Sequence, residues 1–302
     1  MQKIFRAISF LSCAFFALVS SVASAEIPME SDSIAVIDDL DHQLKLKAPA
    51  RRVISLSPHL TENVFTIGGG DFLVGVSAFS DFPKQAQLIE NVGDFQALNI
   101  EKIISLKPDL ILIWADGSNY SGLSVFEELG IPIYWSQPKN LDSIAHELKN
   151  LGVLFGLSAM ANREAESFLQ QLNQLKHYAN QPAVKTFFQV WDNPLQTINN
   201  STLIGNIIDL CGGENIFADA IAKAPLVSIE TVIAKNPTII IGTDERDGTA
   251  EWIEDWQKWQ SISAVANQHI YSFNADHLVR HTTRVMVGVQ EICQALDTVR
   301  SR

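Results

Sequence analysis

The hydrophobic pattern starts with short alternating runs and lengthens along the chain. Residues 32–49 (DSIAVIDDLDHQLKLKAP) hold two alternating runs either side of Asp38 and Asp39, and Pro49 closes the second. That is the pattern of a β-hairpin. Residues 53–56 then read as a strand, Ser57 and Pro58 as a turn, and residues 60–67 as a short helix stopped by the glycines at 68–70. Residues 73–77 read as the next strand. Strand, loop, helix, glycine and strand in that order is the grammar of an α/β fold.

An internal echo extends this reading. Residues 100–113 are IEKIISLKPDLILI and residues 229–242 are IETVIAKNPTIIIG. Aligned without gaps, they share Ile100 and Ile229, Glu101 and Glu230, Ile104 and Ile233, Pro108 and Pro237. Asn99 and Ser228 stand just before each segment as good helix N-caps, and each Glu falls in the first turn, where the helix dipole favours an anion. Each Pro ends its helix, and the continuous apolar run after it suits a buried parallel strand. The echo implies two lobes of similar construction.

Between the two echoes the period changes. From Ser158, a candidate N-cap, residues 158–179 lack Pro and repeat Leu169, Leu172 and Leu175 at helical spacing. They read as one helix of about 30 Å joining the lobes stiffly. Residues 184–192 (VKTFFQVWD) open the second lobe as a strand, and a helix ending at Gly212 and Gly213 follows. Trp252, Trp256 and Trp259 recur at helical spacing, the mark of a packing face.

The first 25 residues stand apart. Lys3 and Arg6 precede an apolar stretch, and Ala23, Ser24 and Ala25 give the small-x-small pattern of a cleaved export signal. Cleavage after Ala25 leaves a chain starting at Glu26 and removes Cys13. Cys211 and Cys293 remain in a compartment that permits disulfides. They form either one bridge closing a long loop or two buried thiols. The bridge is favoured, since no neighbouring His or Cys gives a zinc spacing.

Composition narrows the function. With 47% hydrophobic and 19% charged residues the chain is not a disordered one. A net charge of −12 argues against nucleic acid, because no basic face is available to displace counterions. No G-x-S-x-G elbow, P-loop, dinucleotide-binding glycine pattern or cysteine–histidine pair is present, so an enzyme is not expected. His277 and His281 stand four apart, but Arg280 and Arg284 beside them disfavour a metal ion, and none is expected.

The segments RRVISLSPHLTE, VGVSAFSDFP, NIEKIISLKPDLILIW, LCGGENIF, VSIETVIAKNP and the tail at residues 276–293 resemble the periplasmic cobalamin-binding proteins. These are class III substrate-binding proteins of ABC importers. The resemblance runs from about residue 33 to residue 298. It implies two α/β lobes bridged by a single long helix, with the ligand in the cleft between them. The lobes would span residues 26–157 and 181–302, with residues 158–180 as the link. It further implies a soluble, monomeric periplasmic protein without a cofactor, whose ligand is cobalamin or a related corrinoid. Its partner would be an ABC permease with its ATPase. Haem or a ferric siderophore on the same fold is the alternative.

By the same resemblance, Phe79, Phe95, Trp114 and Trp191 provide flat apolar surfaces for the corrin ring. Asp276, His277, Leu278, Val279 and Arg280 form a C-terminal binding stretch. Phe95 stands where the family has Trp, and His277, Leu278 and Val279 replace two aromatics and a Glu. His59 would face the cleft. Glu101 and Glu230, the echoed pair, match the family's glutamates that dock on arginines of the permease.

Overall fold

The computed structural model describes residues 34–94, 96–116, 122–244 and 250–301. The expected export segment, the start of the mature chain and Phe95 lie outside the described residues. The hairpin is present: β1 (Ile34–Ile37) pairs antiparallel with β2 (Gln43–Leu46), and alternation buries Val36, Leu44 and Leu46.

Then follow β3 (Val53–Ser55), α1 (Pro58–Thr66), β4 (Leu73–Val76), α2 (Ile100–Ser105), β5 (Leu110–Trp114), α3 (Ser124–Glu128) and β6 (Ile133–Ser136). Their strands form a parallel sheet in the order β4-β3-β5-β6. Ser57 and Pro58 are not a free turn. Ser57 is the N-cap residue of α1 and Pro58 starts the helix, where proline's missing N–H has no partner to lose.

Two helices lead away from this sheet. α4 (Leu141–Phe155) starts on a capping box between Asn140 and Ser143 and stops at Gly156, whose φ of 65° reverses the chain. α5 (Ser158–Leu175) runs back along it. A Cβ on Gly152 would come within 2.3 Å of Ala161 Cβ, so the close α4–α5 crossing requires glycine there. Ser158 is the first residue of α5, not its side-chain cap. The 18 residues of α5 span about 27 Å, and a 3-10 turn at Lys176–Asn180 continues them.

The second half repeats the plan with β7 (Val184–Gln189), a small hairpin of β8 (Trp191–Asp192) and β9 (Leu195–Gln196), α6 (Leu203–Leu210), β10 (Gly213–Asn215), α7 (Ile229–Lys235) and β11 (Ile239–Thr243). It ends with α8 (Trp252–Trp256), α9 (Ser263–Ala266), β12 (Ile270–Phe273), α10 (Asp276–Val279) and α11 (Val285–Arg300). The second parallel sheet has the order β10-β7-β11-β12. Numbered within its own half, each sheet reads 2-1-3-4. The echoed segments therefore occupy equivalent places: α2 and α7 precede β5 and β11, the third strand of each sheet. Their caps are as expected, with Asn99 Oδ1 accepting from Lys102 N at 2.9 Å and Ser228 Oγ from Thr231 N at 3.2 Å.

The apolar runs in these third strands have a clear use. Leu110, Leu112, Ile239 and Ile241 face one large core that runs through Leu148 and Phe168 to Ile292 without a break between the halves. Ile111 and Ile113 turn to a separate cluster with Ile103 and Phe126, and Ile240 to another with Val232 and Trp256. Each strand is covered on both faces, which is why it reads as continuously apolar. Trp252 and Trp259 pack against the same cluster as Trp256, although α8 ends at Trp256 and leaves Trp259 beyond the helix. Cys211 and Cys293 are joined in a disulfide that ties the end of α6 to α11. No helix among the described residues is long and apolar enough to cross a membrane.

Candidate ligand-binding cleft

In parallel sheets the loops after the carboxyl ends of the strands form the usual ligand crevice. Here those loops enclose a cavity of about 590 Å³ to which both halves contribute. Trp114, Asp116 and Gln137 come from the first sheet's side; Leu203, Lys223 and Val279 come from the second, and His281 from the C-terminal segment. A depression of about 640 Å³ also exists around Trp191, but its walls belong to the second half alone and include Asp192, Asp244, Glu251, Glu254 and Asp255. The inter-lobe cavity is the better candidate, because its largely apolar wall suits a flat organic ligand.

Trp114 ends β5 at the cavity wall, and its orientation is set from behind. The His59 ring meets it edge-on with centroids 5.5 Å apart, and the His281 ring lies 6.2 Å away. His59 does not face the cleft. It lies in α1, buried, with Nδ1 2.7 Å from Ser57 Oγ and Nε2 3.3 Å from Ser136 Oγ. Burial, together with the nearby His281 ring and the Arg280 guanidinium, keeps its imidazole well below the ordinary histidine range. Ser136 also donates to Glu147, which takes a second bond from Asn63 Nδ2 at 2.6 Å. Burial pushes the Glu147 carboxyl up to about 7 against those two bonds. Burial lowers His281 to about 4, so its ring is a neutral polar group in the cavity wall.

The C-terminal stretch divides in two. Val279 is exposed and lines the cavity; Leu278 also borders it, but its side chain is fully buried and packs against Gly288. Arg280 departs further from the expected ligand contact. Nη1 reaches Glu62 Oε1 at 2.6 Å and Asp81 Oδ1 at 2.8 Å, and Nη2 reaches Asp276 Oδ1 at 2.9 Å. With its side chain only 10% exposed, the guanidinium is already matched by three carboxylates. Arg284 adds two bonds to Glu62 and stacks over the Phe82 ring at 3.8 Å. Asp276 is thereby part of this ion cluster. His277 is half-buried, with an Nδ1 that has no partner among the described residues.

This cluster shapes the loop after β4. Phe79 has φ of 66°, a costly conformation for a bulky residue, and Arg280 Nη2 donates to its carbonyl at 3.3 Å. Phe79 is left 46% exposed at the carboxyl end of the first sheet, and Trp191 58% exposed beyond that of the second. Neither borders the 590 Å³ cavity itself.

Residues 53–276 match the family model described as periplasmic binding protein. The chain belongs to this family. It is 39% identical over 256 residues to the vitamin B12-binding protein of Vibrio cholerae serotype O1, covering 84% of this chain and 92% of the relative. It is 37% identical over 251 residues to the vitamin B12-binding protein of Yersinia pestis strain Pestoides F, covering 83% and 88%. The crystal structure of the Vibrio cholerae periplasmic vitamin B12-binding protein superimposes with a TM-score of 0.77 at 38% identity, covering 84% of this chain and 99% of that one. A periplasmic haem-binding protein from Roseiflexus shares the fold, with a TM-score of 0.73 at 21% identity, covering 83% and 99%. The fold is thus the class III periplasmic binding protein fold, and the family is one of transport binding proteins, not enzymes.

Within this family framework, Glu101 and Glu230 are exposed in the first turns of α2 and α7. The helix's own backbone N–H and the Ser228 hydroxyl hold the Glu230 carboxyl below the usual range. Among the described residues no group of three His, Cys, Asp or Glu side chains is placed to hold a metal ion. Sequence reasoning missed Asp116, Gln137 and Lys223 in the cleft wall. Asp116 follows Trp114 by two residues at a strand's carboxyl end, which is a usable signal. Lys223 sits in a segment without a motif, and only the tertiary structure brings it to the cleft.

Proposed function

We propose that this chain captures cobalamin or a close corrinoid in the periplasm and delivers it to an ABC permease with its ATPase. The observation that carries the reading is the inter-lobe cavity with Trp114 in its wall, in a chain 39% identical to a vitamin B12-binding protein. A corrin is broad, nearly flat and partly apolar, and it needs aromatic faces with a few polar groups to orient it. Phe79, Trp114, Val279 and His277 are the contacts that suit this role, with Trp191 as an outlying aromatic and Phe95 as a further aromatic that the resemblance implies. Asp276 and Arg280 serve the site by holding the Phe79 loop.

In this reading the chain is exported, cleaved after Ala25, and acts as a monomer. Residues 26–157 and 181–302 are the lobes and residues 158–180 the link. Glu101 and Glu230 dock on the permease, one from each lobe. Equivalent positions in lobes of the same topology suit a transporter with two-fold symmetry. Exposed carboxylates of this kind serve orientation and association rate more than affinity.

Calorimetric titration of residues 26–302 with cyanocobalamin, hemin and a ferric siderophore tests the proposal. One-to-one binding of cyanocobalamin, with hemin and siderophore far weaker, is the expected result. Saturable hemin binding without cobalamin binding would transfer the cleft to haem. The neutral imidazole of His281 favours that second reading, since imidazole is a competent axial ligand for haem iron.

A further inference from the structure

Two charges face each other across the cleft. Lys223 Nζ, from the second lobe, lies 2.6 Å from Asp116 Oδ2, in the loop after β5 of the first. Gln137 Nε2 fixes the other carboxylate oxygen at 2.6 Å. Both partners of the pair and Gln137 line the cavity of about 590 Å³.

We propose that Lys223 receives the anionic arm of the ligand, the phosphodiester of a complete corrinoid, and that Asp116 holds its ammonium group in place in the unloaded protein. This rests on the corrinoid reading above and adds a contact to it. The need for such a cation is general. The chain carries a net charge of −12, so a phosphodiester entering its cleft requires a local positive group.

Arg280 is poorly available for that task. Its side chain is only 10% exposed, and withdrawing it would leave Glu62, itself 2% exposed, short of a partner. Lys223 differs in each respect. Its side chain is 59% exposed and Asp116 33%, so the pair is solvent-screened, weak and exchangeable. A lysine ammonium also binds phosphate as a compact point charge without a fixed fork geometry. Burial alone would raise the Asp116 carboxyl, but the hydrogen bonds from Lys223 and Gln137 outweigh it and keep the group ionised. Asp116 therefore competes with the incoming phosphodiester for one cation.

The test uses two corrinoids that differ in that arm. Cyanocobalamin carries the nucleotide arm and its phosphodiester; dicyanocobinamide keeps the ring and amide arms but lacks both. Wild-type mature chain, Lys223→Ala, Lys223→Arg and Asp116→Asn are titrated with each by calorimetry. Lys223→Ala is expected to weaken cyanocobalamin about tenfold or more while changing cobinamide by less than about twofold. Lys223→Arg should keep most of the cyanocobalamin affinity, and Asp116→Asn should strengthen it severalfold. Equal losses for both corrinoids, or none for either, would overturn the assignment while leaving the corrinoid reading intact. A wild-type chain that binds neither corrinoid would overturn the reading itself.

Discussion

Glu147 has no exposed surface, so among the described residues its charged form depends on donors from Ser136 and Asn63. Its folded value of about 7 lies above the ordinary 4.5. The group therefore stabilises the fold fully below about pH 4.5, and that contribution is lost as pH rises through about 7. Urea unfolding of wild type at pH 5 and pH 8 should show a loss on the order of 2–3 kcal/mol that Glu147→Gln, neutral throughout, does not show. A parallel loss in the variant would remove Glu147 as the cause. No feature of HELKNLG at the sequence level distinguishes Glu147 from a surface helix glutamate; its burial follows only from how α4 lies against α1 and β6. Arg280 teaches the same lesson. The sequence places an arginine in the C-terminal binding stretch, but three carboxylates from distant segments decide what it holds.

At the scale of the element, most of the fold was legible. The echoed helix–strand pairs declare themselves through N-cap, first-turn glutamate, proline and apolar run, each a local signal with a local cause. Pro58 was misread because a proline after serine suits both a turn and the first position of a helix. The Cys211–Cys293 bridge connects two elements separated by 82 residues. The chain-entropy model gives such a closure about 4.5 kcal/mol. A Cys211→Ser, Cys293→Ser double variant should lose roughly 2–5 kcal/mol in denaturant unfolding, with its secondary structure retained. An unchanged unfolding midpoint would mean that α6 and α11 are held by packing alone.

For the whole molecule, the decisive feature is the core shared by both lobes, which runs from Val53 through Leu148 and Phe168 to Ile292. Added to it are the α5 link and the Glu62–Arg280–Arg284 cluster that ties the C-terminal segment to α1. Parting the lobes would expose that core, so loading should displace them by only about 1–2 Å. Distances between spin labels on the two lobes, measured with and without cyanocobalamin, check this; a shift near 10 Å would contradict it. The sequence by itself determined the lobe plan, the helical link and the echoed first-turn glutamates, because these rest on periodicity and capping, all written within a few residues of one another; the candidate aromatics follow from the family resemblance. Only the tertiary structure decided that His59 backs Trp114, that Arg280 braces the Phe79 loop, and that Asp116 and Lys223 meet across the cleft. Those outcomes depend on groups more than 50 residues apart in the chain, and no local pattern records which of them wins.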